Sequence, residues 1–164
     1  MIELRKKLPF RINCEGYFPN SKGNILAKKE KNGIVVFPGG GVGKDEDIIE
    51  AMIRETREET GAIVRNLRKL GTIKIIWGEH WAKTEKQKER YKKYRGDEMH
   101  FFLGEIEKFE ELKSKKEDFW EGEKLMNIKD VIIKIEEKSP FDKNIKEYRE
   151  VQLKFLKEIV KYER

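Results

Sequence analysis

Three consecutive glycines followed closely by a helix of clustered carboxylates constrain this chain more than any other part of its sequence. The stretch opens Gly39-Gly40-Gly41-Val42-Gly43-Lys44-Asp45-Glu46 and continues to Gly61. Asp45 is the expected N-cap, because a short carboxylate there accepts from the free amides of the first turn, where acidic residues also suit the helix dipole. Ile48, Ile49, Met52, Ile53, Thr56 and Thr60 recur at helical spacing and form the expected apolar stripe. Gly61 ends the helix as the residue that takes a left-handed conformation most easily.

A helix advances about 100° per residue, so Glu55, Glu58 and Glu59 share an arc of roughly 100° beside that stripe. Like charges so placed repel. A hard divalent cation such as Mg²⁺ or Mn²⁺ would remove the cost, since it prefers oxygen ligands and joins carboxylates to substrate phosphates. The upstream glycines let backbone approach a ligand closely, and a helix N-terminus favours anions. Together these suit metal-assisted chemistry on a phosphate anhydride. The same residues also suit a solvated helix face, with Glu50, Arg54 and Glu58 at supporting i,i+4 spacing. The residues by themselves leave both readings open.

The flanking chain alternates strands and helices. Residues 11–18 read as a strand closed by Pro19-Asn20, and residues 21–24 as a turn. Residues 25–27 and 34–37 flank Lys31-Asn32-Gly33 as an expected hairpin. Residues 63–67 and 70–77 read as two strands, residues 81–95 as a charged, helical insertion, and residues 99–106 as a strand presenting Phe101 and Phe102 to opposite faces. A short strand at 124–128 and a short helix at 129–135 follow. Ser139-Pro140-Phe141-Asp142 opens a last helix, over about residues 141–161, whose face is Ile145, Tyr148, Gln152, Phe155, Leu156 and Ile159. Mixed strands between helices predict one layered α/β/α domain over residues 1–164.

The spacing Gly40, five residues, Glu46, seven residues, Arg54-Glu55, two residues, Glu58-Glu59, one residue, Gly61 resembles the Nudix box. Thr56 and Ala62 depart from it, standing where an aliphatic residue is usual. The resemblance implies a Nudix-type α/β/α sandwich with a mixed central sheet. It also implies hydrolysis of a nucleoside diphosphate linked to another moiety, with Mg²⁺ or Mn²⁺. Carried over by position, Glu55, Glu58 and Glu59 are the expected metal ligands, with the carbonyl of Gly39 as a further one. Gly40 and Gly41 would face the substrate. Arg54 would orient a carboxylate, and Glu46, on the far side of the helix from Glu55, would be structural. The general base would be on the helix or on the loop at 113–122, where Glu117, Asp118 and Glu121 are candidates. Many relatives dimerise, so a homodimer is a possible state.

Specificity is less defined. Phe119 and Trp120 either stack on a nucleobase or anchor that acidic loop to the core, and Trp77 is a second candidate for base stacking. The ADP-ribose group of the family typically has a proline about fifteen residues after the box, and none lies between Pro38 and Pro140. A nucleoside triphosphate or an oxidised nucleotide is the first expectation. Residues 82–95, inside an insertion at about 78–97, hold seven basic side chains against two acidic ones, a net of +5 beside +6 for the whole chain. Such a segment either steers an anionic substrate or is a solvated helix. With Tyr91 and Tyr94 it would also suit a dinucleoside polyphosphate or an RNA 5′-triphosphate end. A binding module without hydrolysis is disfavoured by the intact carboxylates. His80 and His100 lack a partner at ligand spacing and read as structural.

Composition excludes other classes. Cys14 is the only cysteine, so an intrachain disulfide and a cysteine zinc site are ruled out and a reducing compartment is expected. No run is apolar enough to span a membrane, and residues 1–10 lack a signal core; a cytoplasmic protein is the expectation. The charged fraction of 41% fits heat adaptation and an AT-rich genome equally.

Overall fold

The computed structural model describes residues 2–138 and 143–162. Strand β1 (Phe10–Tyr17) organises it. It runs antiparallel to β5 (Gly39–Gly41) on one side and parallel to β7 (Gly96–Phe109) on the other, and β7 pairs antiparallel with β6 (Ala62–Ile76). The central sheet is therefore mixed, in the order β5-β1-β7-β6, with the glycine strand at an edge.

Successive side chains on a strand face opposite sides, so one sheet builds two cores. Cys14 and Phe102 enter a cluster with Phe18, Leu26, Ala51 and Met52, the last two from helix α2 (Ile48–Thr60). Tyr17 and Phe101 enter the other, with Ile128, Val131 and Ile135 of α4 (Ile128–Glu137) and Phe155, Leu156 and Ile159 of α5 (Lys143–Tyr162). The result is the α/β/α sandwich expected, with Phe101 and Phe102 split between its layers.

Helix α2 buries Ala51, Met52, Thr56 and Thr60. Thr56 Oγ1 donates to Met52 O at 2.7 Å and Thr60 Oγ1 to Thr56 O at 2.6 Å. Both hydroxyls are thus satisfied inside the helix, and the methyl groups pack. Ile49 is 41% exposed and does not belong to the stripe. The N-cap is Asp47, whose carboxylate accepts from the amides of Ile49 and Glu50. Asp45 instead takes a positive φ of 63° in the preceding turn. Gly61 adopts φ 79° as expected and returns its amide to Arg57 O.

Three local expectations change. The two strands at 63–67 and 70–77 are one strand, β6, interrupted by register shifts between Arg65 and Arg68 and between Lys69 and Gly71, where Asn66 takes φ 54°. The hairpin forms between β3 (Lys28–Lys29) and β4 (Val35–Val36). Residues Asn24–Leu26 (β2) pair instead with β8 (Leu125–Asn127), because Ile25 and Leu26 find full burial there. The insertion is helical only over α3 (Glu85–Lys93), opened by a capping box between Thr84 and Gln87, and it buries no residue. Arg5, in the short α1 (Ile2–Arg5), fastens it by donating to Tyr91 O and Tyr94 O and lying over the Tyr91 ring at 3.4 Å. The expected start of the last helix at Ser139–Asp142 lies outside the described residues. Among the described residues no helix is long and apolar enough to cross a membrane.

Candidate active site

The carboxylates of α2 meet the glycine strand at the sheet edge. Glu59 Oε1 accepts from Gly39 N–H at 2.8 Å. The carboxylate of Glu55 occupies the space that a Cβ at Gly40 would fill, 2.5 Å from its Cδ. Arg54 binds these groups together. Its Nη1 donates to Glu55 Oε1 at 2.9 Å and Glu58 Oε2 at 3.1 Å, while Nε and Nη2 hold Glu46 at 2.7 and 2.9 Å. Glu46 precedes the helix rather than standing on its far side. Its other contact is with Gly43 N–H, so it holds the glycine turn and Arg54 in place. Arg54 and that amide lower the Glu46 carboxyl to about 2.

Burial acts the other way on the inner pair. It raises the Glu59 carboxyl to about 8, against the Gly39 hydrogen bond and reinforced by the charges of Glu55, Asp118 and Glu58. Glu55 is raised for the same first reason, with Arg54 opposing. Two half-desolvated carboxylates that repel each other are a donor set suited to a hard divalent cation, which would let both ionise. Among the described residues, no three such side chains form a ready-made cage. Arg54 holds oxygens of Glu55 and Glu58, and Lys116 Nζ holds Glu58 Oε2 at 2.9 Å.

The loop after β7 docks on α2 through that lysine and through Trp120 N–H, which donates to Glu59 O at 2.8 Å. Of the three loop acids, only Asp118 bears on Glu55 and Glu59 electrostatically. Glu121 instead lines a separate groove with Thr60 and Phe109, and Glu117 is exposed. The Trp120 ring is 3% exposed. That burial is what the anchoring reading of this residue expects.

Trp77 is also buried, 4% exposed, but it forms the wall of a cavity of about 380 Å³ on the α5 face of β1. Trp81 lies flat against it, with ring centroids 3.8 Å apart and planes 4° from parallel. Trp77 Nε1 donates to Asp97 Oδ2 at 2.9 Å, Asn13 Nδ2 donates to Asp97 Oδ1, and Arg11 Nη1 donates to Asn13 Oδ1 at 2.7 Å. Arg11 also lines the cleft beside Gly41 and Glu55, and a Cβ at Gly41 would meet its guanidinium at 2.4 Å. Sequence reasoning missed Arg11, Asn13 and Asp97. They are scattered polar residues on two strands, and only the parallel pairing of β1 with β7, which sets Arg11 against Asp97, brings them together. His100 pairs with Glu98 at 2.7 Å on the sheet, and His80 is 86% exposed, so neither joins the site.

The NUDIX domain family signature matches residues 17–148. No curated protein matches the sequence. Among solved structures, a NUDIX hydrolase from Nitrosomonas europaea shares the fold at 16% identity and a TM-score of 0.56, over 76% of this chain and 77% of that one. A MutT NUDIX hydrolase from Burkholderia pseudomallei is 18% identical with a TM-score of 0.49, covering 81% and 90%. The Bacillus subtilis pyrophosphohydrolase BsRppH is 26% identical with a TM-score of 0.45, covering 66% of this chain and 57% of that one. With the signature spanning most of the chain and the glycine strand, Arg54 and the three glutamates in place around one helix, this chain belongs to the Nudix family.

Proposed function

We propose that this chain is a metal-dependent pyrophosphohydrolase acting on a nucleotide, with a nucleoside triphosphate or an oxidised nucleotide as first substrate. The observation that carries the reading is the juxtaposition of Glu55 and Glu59 with the side-chain-free edge Gly39–Gly41, with Arg54 tying Glu58 to Glu55. Glu55, Glu58 and Glu59, with the carbonyl of Gly39, would hold Mg²⁺ or Mn²⁺. Bound there, the cation supplies Lewis-acid neutralisation of phosphate oxygens. Arg54 fixes Glu55 and Glu58 relative to each other, and Gly40 and Gly41 leave room for the phosphates. Arg11, beside Gly41, is placed to neutralise a phosphate on the opposite side of the strand. A water attacks one phosphorus, its proton passing to a carboxylate. The bond from that phosphorus to its bridging oxygen breaks, giving a nucleoside monophosphate and pyrophosphate from a triphosphate. Asp118 is the loop base supported best, being the loop acid whose charge reaches Glu55 and Glu59; Glu121 lines a separate groove.

A second reading, the RNA 5′-triphosphate end or a dinucleoside polyphosphate, is favoured by α3. The helix buries nothing, yet Arg5 fastens it beside the site. Arg90 and Tyr94 from this region line the two adjoining cavities. The test is Mg²⁺-dependent phosphate release from nucleoside triphosphates, oxidised nucleotides, dinucleoside polyphosphates and triphosphorylated RNA, with and without inorganic pyrophosphatase. Turnover that disappears in Glu59→Gln supports hydrolysis at this site. Turnover retained in Glu59→Gln refutes the assignment, and no turnover of any substrate favours a binding module.

A further inference from the structure

The glycine strand is the passage between the two faces of the sheet. Adjacent residues on it look to opposite sides, Gly40 to Glu55 of α2 and Gly41 to Arg11 of β1. A nucleotide with its phosphates at this edge can therefore touch the carboxylates on one side and Arg11 on the other. Arg11 lines both the cleft at Gly41 and the cavity walled by Trp77. Beyond Arg11 along the same face of β1 is Asn13, and against Asn13 is Asp97. The cavity falls within the size range of small-ligand sites. Ile34, Met99 and Ile145 give it aliphatic walls.

We propose that this cavity receives the base of the nucleotide, and that Asp97 selects a base whose edge offers two adjacent N–H donors, which among the common bases is guanine. The proposal rests on the nucleotide reading of the neighbouring site. An ionised carboxylate offers about four acceptor positions. Asn13 and Trp77 take one on each oxygen of Asp97 and thereby fix its plane. One position per oxygen remains. The N1–H and N2–H groups of guanine match two such acceptors side by side. Hypoxanthine offers N1–H alone. Adenine turns its N1 lone pair toward the carboxylate, an acceptor against an acceptor. Cytosine and uracil each present a single donor group on that edge. Arg90, which lines the same cavity, is a donor of the kind that suits the O6 and N7 acceptors of guanine.

The experiment is binding of GMP, IMP and AMP to the wild-type protein, followed by tryptophan fluorescence. Trp77 and Trp81 line the cavity and Trp120, which is buried, does not, so quenching on binding reports on the cavity. Hydrogen bonds to a charged group are each worth about tenfold or more in affinity. GMP is expected to bind about tenfold tighter than IMP, and IMP about tenfold tighter than AMP. Asp97→Asn replaces one acceptor with a donor and is expected to bring GMP and AMP within about threefold of each other, with the melting temperature followed alongside. The wild-type series decides the matter even where that variant is unstable. Equal binding of GMP and AMP overturns the proposal, as does a lack of quenching by all three at millimolar concentration. The hydrolysis reading stands or falls separately: turnover lost in Glu59→Gln without any order among the bases removes this proposal alone, whereas ordered binding without turnover removes the hydrolysis reading alone.

Discussion

Replacing Gly40 with alanine separates the chemistry of the site from the stability of the fold. Gly40 has no positive φ, so its backbone accepts a side chain. The added methyl would stand 2.5 Å from Glu55 Cδ and 2.6 and 2.8 Å from its oxygens. Non-bonded carbons rest at about 3.5–4.0 Å, so the carboxylate must retreat by about 1 Å. Glu55 is the far end of a flexible side chain, and it can swing away at small cost. What it loses is the 2.9 Å bond from Arg54, an ion pair whose arginine side chain is 35% exposed; screened as it is, this is worth about 1 kcal/mol or less. The lower chain entropy of alanine offsets about 0.4–1 kcal/mol of that. The net change should stay within about 1 kcal/mol, or about 2–4 °C in Tm for a domain of this size. Activity should respond very differently, since a misplacement of about 1 Å costs about 100-fold. The assay is kcat/KM for the best triphosphate with Mg²⁺, beside a thermal melt of the same sample. Activity within threefold of wild type refutes the role of Glu55. Activity and Tm collapsing together refutes the claim that the glycine serves the site rather than the fold.

Burial raises Glu59 to about 8 in the metal-free protein, so the folded chain binds a proton there that the unfolded chain, titrating near 4.5, releases earlier. The metal-free Tm should therefore fall as pH rises from about 4.5 to about 8, and Glu59→Gln should flatten that fall; an unchanged slope in the variant rejects the assignment. Metal affinity should rise over the same window as the carboxylate ionises, measured by calorimetry. Trp120→Ala should remove about 3–5 kcal/mol of packing, seen as a large drop in Tm; an unchanged Tm with a raised KM would restore the ring to substrate stacking. Glu15 is buried on the α5 face and accepts from Tyr17, Tyr148 and Gln152. Glu15→Ala leaves those donors unpaired and should cost about 3 kcal/mol or more, whereas Glu15→Gln should keep part of the network and more of the Tm. Equal melting of the two variants would show that the network contributes nothing.

The candidate carboxylate cluster is legible because its geometry is local. Glu55, Glu58 and Glu59 need only a helix to share an arc, and Ala51, Met52, Thr56 and Thr60 hold that helix to the sheet. Its first turn was misread because two aspartates compete. Asp45 and Asp47 are both good caps in isolation, and the tie is broken by the glycine turn, which places Asp45 at positive φ and leaves Asp47 to bond the amides. Ile25 and Leu26 are expected to pair with residues 34–37 across Lys31-Asn32-Gly33, yet their partner is Leu125–Met126, a pairing that only the closed fold can reveal. The acidic loop offers two readings of Trp120; its burial favours the anchoring one, and the Trp120→Ala variant decides between them. The cavity was invisible for the same reason as the β2 pairing. Arg11 and Asn13 come from the first strand, Asp97 from a strand more than eighty residues later, and Tyr148 and Arg149 from the last helix.

The glycine run is also less uniform than it reads in the sequence. None of Gly39, Gly40 and Gly41 takes a positive φ, so conformational freedom is not what they supply. Each excludes a side chain for a different reason. A Cβ on Gly39 would lie 2.3 Å from the carbonyl oxygen of Cys14, on Gly40 against the Glu55 carboxylate, and on Gly41 2.4 Å from the Arg11 guanidinium. Backbone cannot yield as a side chain can, so Gly39→Ala should break the β1–β5 pairing and the Glu59 hydrogen bond with it, lowering Tm and activity together. Gly41→Ala should leave Tm near wild type and act through Arg11, raising KM for the triphosphate more than it lowers kcat. Melting and steady-state kinetics on the two variants test this directly. If Gly39→Ala melts like wild type, or if Gly41→Ala lowers kcat with KM unchanged, then the strand is not the steric boundary between a carboxylate side and an arginine side, and the path drawn from the carboxylates past Arg11 to the cavity loses its support.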